Sequence, residues 1–142
     1  MILFCDENIG TSVPSSLRSV GLPTLWAHKL GWLGKTDVDF LTIVGRKGWL
    51  VLSCNKKMLM VPEERKVLIE SKIGVVFMTT GWTNPPTLLR LLLTNWPKLE
   101  EIDSLPRPFA RFLSPNGRIT SSFRNFSFSA ARGVHHRGNH RK

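Results

Sequence analysis

The sequence predicts a three-layer α/β domain built on a central, mainly parallel sheet. Short apolar runs punctuate the first eighty residues at Met1–Cys5, Trp49–Ser53 and Ile73–Met78, and none of them alternates polar with apolar. Strands that are apolar on both faces belong to parallel sheets covered by helices on each side. Segments with helical spacing lie between the runs, so the order reads β-α-β-α-β-α-β-α. The chain has 142 residues, enough for one core and too few for two ordinary domains.

Each element has its own signal. After the first strand, Ser12 is placed to cap a helix with Pro14 in its first turn. Val13, Leu17 and Val20 share a face of that helix, and Gly21 stops it. Leu22–Ala27 is a weaker apolar run and the second strand in chain order. Thr36 is placed to cap a second helix that reaches about Gly45 and buries Phe40, Leu41 and Val44. Trp49–Ser53 is the third strand. Pro62–Ser71 reads as a third helix, with Glu63 and Glu64 near its positive N-terminal end. Ile73–Met78 is the fourth strand. Asn84 caps a fourth helix with Pro85 at its first position. Leu88, Leu89, Leu92, Leu93 and Trp96 give that helix a broad apolar face, and Pro97 is expected to end it. Phe109–Leu113 and Arg118–Ser122 flank Ser114-Pro115-Asn116-Gly117 and read as a small C-terminal hairpin. The domain is expected to span 1–120, followed over 121–142 by a flexible basic tail of Ser, Arg, Gly and His with scattered Phe.

Composition excludes several classes. A hydrophobic content of 42% rules out wholesale disorder. No apolar run approaches the roughly 18 residues of a membrane span, and the greasiest stretch, Leu88–Leu93, contains Arg90. The opening run has no basic residues before it and carboxylates straight after it, unlike a secretory signal. Cys5 and Cys54 form neither a disulfide framework nor a zinc spacing. The expectation is a soluble chain in a reducing cytoplasm, with no membrane contact. Charge is unevenly divided. All ten Asp and Glu lie in 1–103 with twelve of the twenty Lys and Arg, whereas 104–142 holds the other eight and no acid. That segment suits an anionic partner, nucleic acid or an acidic protein, or it is a solvated tail that aids solubility.

Function in an open parallel sheet gathers at the carboxyl ends of the strands. The first strand runs into Asp6-Glu7-Asn8, the third into Cys54-Asn55-Lys56-Lys57 and the fourth into Thr79-Thr80-Gly81, while Asp37 and Asp39 open the second helix. Two carboxylates about 4 Å apart repel by roughly 4 kcal/mol at an effective dielectric near 20. A divalent cation such as Mg²⁺ or Mn²⁺, which takes oxygen ligands, relieves that repulsion and can activate water against a phosphodiester. Each residue also has a structural reading. Asp6 suits a turn after a strand, and Glu7 a solvated neighbour. Asp37 suits a helix N-terminus, and Asp39, three residues after Thr36, a capping box. Cys54 suits a small buried hydrophobe. His28 is the only histidine outside the tail, which leaves a Cys-His hydrolase little support. No phosphate-binding glycine loop is present.

Ile2-Leu3-Phe4-Cys5-Asp6-Glu7-Asn8, a helix ending at Val20-Gly21, Gly34-Lys35-Thr36-Asp37-Val38-Asp39-Phe40-Leu41, Trp49 to Met58 and Ile73 to Phe77 together resemble a PIN-like domain. The resemblance is nearest to the small bacterial Mut7-C and DUF5615 type and covers about residues 1–95. It implies a metal-dependent ribonuclease, of the kind found as VapC-like toxins of toxin–antitoxin pairs. By position it implies that Asp6 and Asp39 hold Mg²⁺ or Mn²⁺, with Asp37 beside them. It also implies RNA as substrate and a cognate antitoxin as partner. Arg46, Lys47, Lys56 and Lys57 would track RNA backbone, and Thr79 or Lys57 would position a phosphate. Apart from the resemblance, Trp26, Trp32 and Trp82 suit core or rim positions, or an apolar surface for an antitoxin or a second copy.

The chain departs from the resemblance after the third strand, where the subgroup carries Asp-x-Asp and this sequence has Asn55-Lys56-Lys57. Asn55 keeps a carbonyl ligand but removes a charge, and Lys57 reverses one. Three explanations stay open: a pseudoenzyme that binds RNA or a partner, a weak nuclease using Asp6, Glu7, Asp37 and Asp39, or an Asp→Asn change introduced at 55.

Overall fold

The structure, a computed structural model, describes residues 1–80 and 84–128. It is the expected three-layer α/β/α arrangement. The strands are β1 (Leu3–Cys5), β2 (Thr24–Trp26), β3 (Leu50–Ser53), β4 (Gly74–Met78), β5 (Phe109–Leu113) and β6 (Ile119–Thr120). The helices are α1 (Ser12–Ser19), α2 (Asp37–Lys47), α3 (Pro62–Glu70), α4 (Pro85–Thr94) and α5 (Trp96–Asp103). The sheet order is β2-β1-β3-β4-β5-β6, parallel throughout except for the β5–β6 pair.

Successive strand residues point to opposite faces, and both faces are covered. Leu3, Cys5, Leu50, Leu52, Val76 and Met78 join Leu17 of α1, Leu92 of α4 and Leu99 of α5 in one core. Phe4, Val51, Val75 and Phe77 join Leu41 and Val44 of α2 and Leu68 of α3 in the other. This double burial is why the strands read as unbroken apolar runs.

Local chemistry departs from expectation in several places. Helix α1 starts at Ser12 itself, with Thr11 in the cap position and no side-chain cap bond. Val13 and Leu17 are buried, but Val20 is 67% exposed, because the helix has already ended and Gly21 turns the chain at φ +95°. Pro97 begins a helix rather than ending one. The buried Asn95 breaks the chain between α4 and α5, its Nδ2 donating to the Leu91 carbonyl at 2.8 Å. Pro97 then falls in the first turn of α5, where a missing N–H costs nothing. The predicted hairpin is present, yet β5 is no appendage. It pairs in parallel with β4 over Gly74↔Phe109 to Met78↔Leu113 and lies inside the main sheet. The described chain also stays packed beyond 120. Phe123 and Phe126 exchange backbone hydrogen bonds, and both pack with Phe128 against the α2–α3 core. The remainder of the expected tail, 129–142, lies outside the described residues. Among the described residues, no helix is long and apolar enough to cross a membrane.

Candidate active site at the strand switch point

The chain leaves β1 toward β2 on one side, and β3 inserts on the other side of β1. The order therefore reverses between β1 and β3, and open α/β sheets bind ligands outside the carboxyl ends of the strands at such a point. Asp6 directly follows β1 and Asn55 follows β3 by two residues, and both line one pocket of about 220 Å³. Glu7, Asn8, Trp32 and Lys35 line it too, above Phe4 and Phe40.

Asp6 is held firmly. Only 4% of it is exposed, its N–H donates to the Leu52 carbonyl at 3.1 Å, and its Oδ1 accepts the Asn8 N–H at 3.0 Å. That last bond caps the short 3₁₀ turn Glu7–Ile9, on which Glu7 and Asn8 are exposed. Asn55 is half-buried. Its N–H donates to Ser53 Oγ at 2.9 Å and its carbonyl accepts the Met58 N–H at 3.1 Å, while its side-chain amide caps nothing. The backbone on both sides of the pocket is thus fixed by local hydrogen bonds.

The predicted acidic set does not assemble in full. Thr36 caps α2 as expected, its Oγ1 accepting the Asp39 N–H at 3.2 Å. Phe40, Leu41 and Val44 take the inner face of that helix. Residues on a helix step round by about 100° each, so Asp39 is turned outward, exposed, and lines no part of the pocket. Asp37 is the first residue of α2, and its side chain lies outside the described part of the structure. Among the described residues, no three Asp, Glu, His or Cys side chains are placed to share a metal ion.

The predicted basic set divides as well. Lys57 is exposed beside Asn55. Lys56 is occupied: its Nζ donates to the carbonyls of Met78 and Thr79 at 3.2 and 3.1 Å and stands 5.8 Å from the Phe123 ring centre. Burial pushes its pKa down, with Cys54 raising it and Arg124 lowering it further. Thr79 gives its carbonyl to Lys56 and its N–H to the Leu113 carbonyl, and does not line the pocket. Arg46 and Lys47 end α2 near the starts of β3 and β4, at the strand ends opposite the pocket. A methyl on the neighbouring Gly45 would meet Ser71 and Ile73, just before β4 begins. Of the tryptophans expected on a partner surface, Trp26 is buried in the core, Trp32 faces the pocket, and Trp82 lies outside the described residues.

Two thiols flank the site without serving it as nucleophiles. Burial pushes the Cys5 thiol far up, with Asp6 and then Cys54 adding to the effect. Burial and Asp6 also raise Cys54, against a smaller opposing pull from Lys56. Both therefore stay protonated near neutral pH, whereas a reactive cysteine needs its thiolate.

Sequence reasoning missed Lys35 and the aromatic wall. The signal for both was the glycine pair around them. Gly31 and Gly34 adopt φ of +71° and +81°, and the Lys35 N–H donates to the Trp32 carbonyl at 2.9 Å, folding this loop against the pocket.

Comparison with known proteins agrees with this fold. The family described as PIN like domain matches residues 1–80, more than half of the chain, from β1 through β4 and including both Asp6 and Asn55. No curated protein and no solved structure matches. PIN-like domains are associated with nuclease activity and commonly depend on a divalent metal. With over half its length matched and its switch-point pocket formed by the matched segment, this chain belongs to the PIN-like domain family.

Proposed function

We propose that this protein is a metal-dependent ribonuclease of the PIN-like, toxin kind, with a site weakened at Asn55. The supporting observation is the convergence of Asp6 and Asn55 on one pocket at the point where strand order reverses. Mg²⁺ is often held by one or two carboxylates, with water and substrate phosphate completing its shell. Asp6, Glu7 and the amide oxygen of Asn55 fit that minimal set and would hold Mg²⁺ or Mn²⁺. Such an ion supplies charge neutralisation at phosphorus and a more acidic bound water. Asp6 contributes a fixed negative charge. Asn55 contributes a dipole where an aspartate would add charge, and Lys35 places a cation on the same pocket, so both lower its attraction for a dication. Lys35 and Lys57 are suited to phosphate. A kinship with the Mut7-C and DUF5615 type, a cytoplasmic setting and a cognate antitoxin partner follow from the resemblance in the first strand and its Asp6-Glu7-Asn8.

RNA binding without cleavage is the second reading, favoured by Asn55 and Lys35 on the pocket wall. Incubation of single-stranded RNA with the protein in Mg²⁺, Mn²⁺ or EDTA, alongside Asp6→Asn, separates the two. Slow cleavage that needs the ion and is lost in Asp6→Asn is expected. Cleavage that survives EDTA or Asp6→Asn contradicts the nuclease assignment. Binding with no cleavage in either metal selects the second reading.

A further inference from the structure

We propose that the aromatic side of this pocket takes one unpaired nucleobase of the bound RNA, stacked on Trp32, with the sugar–phosphate toward Lys35. The inference rests on the RNA-directed reading of the same site and names the part of the strand that the site grips. Trp32 is half-buried and braced by neighbouring rings, its ring centre 5.5 Å from Phe4 and 6.3 Å from Trp49. Phe4 in turn lies 5.5 Å from Phe40. The tryptophan is thus a preset platform whose ordering cost is met in the free protein.

Asp6 and Asn55 line the same pocket as Trp32, Phe4 and Phe40. Aromatic rings in one pocket with a few polar groups complement a heteroaromatic ring with hydrogen-bonding edges. The Asn55 amide offers both a donor and an acceptor to such an edge. The volume, about 220 Å³, is below the roughly 300 Å³ at which pockets for drug-sized ligands begin. It suits one base rather than a dinucleotide. Lys35 Nζ stands 6.0 Å from the Trp32 ring centre on a flexible stem, able to swing toward the phosphate when a base arrives. The cavities beside α5 and β6 and along α4 are lined by aliphatic, polar and charged side chains, with no ring on which a base would stack.

The test is equilibrium binding by fluorescence anisotropy in EDTA, using a labelled single-stranded RNA and an abasic ribose–phosphate strand of equal length. Wild-type protein is expected to prefer RNA over the abasic strand by roughly tenfold, within the range of base–aromatic stacking. Trp32→Ala should abolish that preference without changing the salt dependence, and Trp32→Phe should keep most of it. Thermal melts of both variants report whether they fold, and Trp32→Phe keeps the test decisive if Trp32→Ala does not. Equal binding of RNA and abasic strand by wild type overturns the base pocket while leaving the RNA reading intact. Undiminished preference in Trp32→Ala also overturns it. Binding of neither strand overturns the RNA reading itself.

Discussion

The Asp6 carboxylate is both a local cap and the buried charge of the pocket, and the two roles can be separated. Its Oδ1 accepts the Asn8 N–H, a bond that an asparagine oxygen can also accept. Asp6→Asn is therefore expected to keep stability near wild type while losing metal-dependent activity. Asp6→Ala should lose activity and also about 1 kcal/mol of stability, as is usual when a capping side chain is removed. Urea unfolding of the two variants checks this, and equal stability losses would contradict the capping role. Cys5 and Cys54 carry a pH signature. Both thiols are raised above their ordinary 9.0, so the native state keeps protons that the unfolded chain gives up. The stability this contributes is fully present below about pH 9 and is lost as pH rises through the raised values. The melting temperature of wild type is expected to fall more steeply above pH 9 than that of Cys5→Ala/Cys54→Ala, and parallel curves would contradict it. Asp6 and Asn55 were legible in the sequence because each follows an unmistakable apolar strand. Asp39 was not, since its spacing from Thr36 serves a cap as well as a ligand and only the helix phase decides. Lys56 was not, because its acceptors lie 22 and 23 residues away.

At the scale of elements, the direction of α2 decides which basic residues reach the strand ends. A helix rises about 1.5 Å per residue, so α2 carries Arg46 and Lys47 roughly 14 to 15 Å from its start beside the pocket. Sequence order places Arg46 within ten residues of Asn55, but β3 between them runs from one end of the strands to the other. Lys35, before α2, and Lys57, after β3, stay at the pocket end. Lys35→Ala and Lys57→Ala are expected to reduce the slope of log affinity for single-stranded RNA against log salt, by about 0.7 for each phosphate that the protein no longer neutralises. Arg46→Ala/Lys47→Ala should leave that slope unchanged. A salt titration of RNA binding measures both, and a reduced slope in the second variant would contradict the placement. Strand and helix order was legible because double-sided burial leaves unbroken apolar runs. The break at Asn95 was not, since the leucine spacing of α4 runs on smoothly to Trp96.

The whole molecule is larger than the part its family describes. The matched segment ends with β4, yet α4 and α5 cover one face and β5 and β6 extend the sheet. Beyond them, Phe123, Phe126 and Phe128 pack onto the α2–α3 core, and Arg65 Nη2 donates to the Phe128 carbonyl at 3.3 Å. The same segment sets Phe123 beside Lys56, whose ammonium ties the loop after β3 to the end of β4. A hairpin motif announces its own two strands but not the neighbour that its outer edge will find, which is why the place of β5 was hidden. Likewise, phenylalanines scattered among Ser and Arg do not reveal a docked segment until the groove they fill is known.

The nuclease site proposed for the switch-point pocket is limited at Asn55, and Asn55→Asp restores the missing charge. Mn²⁺ binding by calorimetry, with RNA cleavage assayed in the same buffers, should be compared between wild type, Asn55→Asp and Asn55→Asp/Asp6→Asn. The added charge is expected to strengthen Mn²⁺ binding and raise cleavage, and Asp6→Asn in the same chain should remove both gains. If Asn55→Asp changes neither property, or if its gain persists without the Asp6 charge, the chemistry does not reside in this pocket.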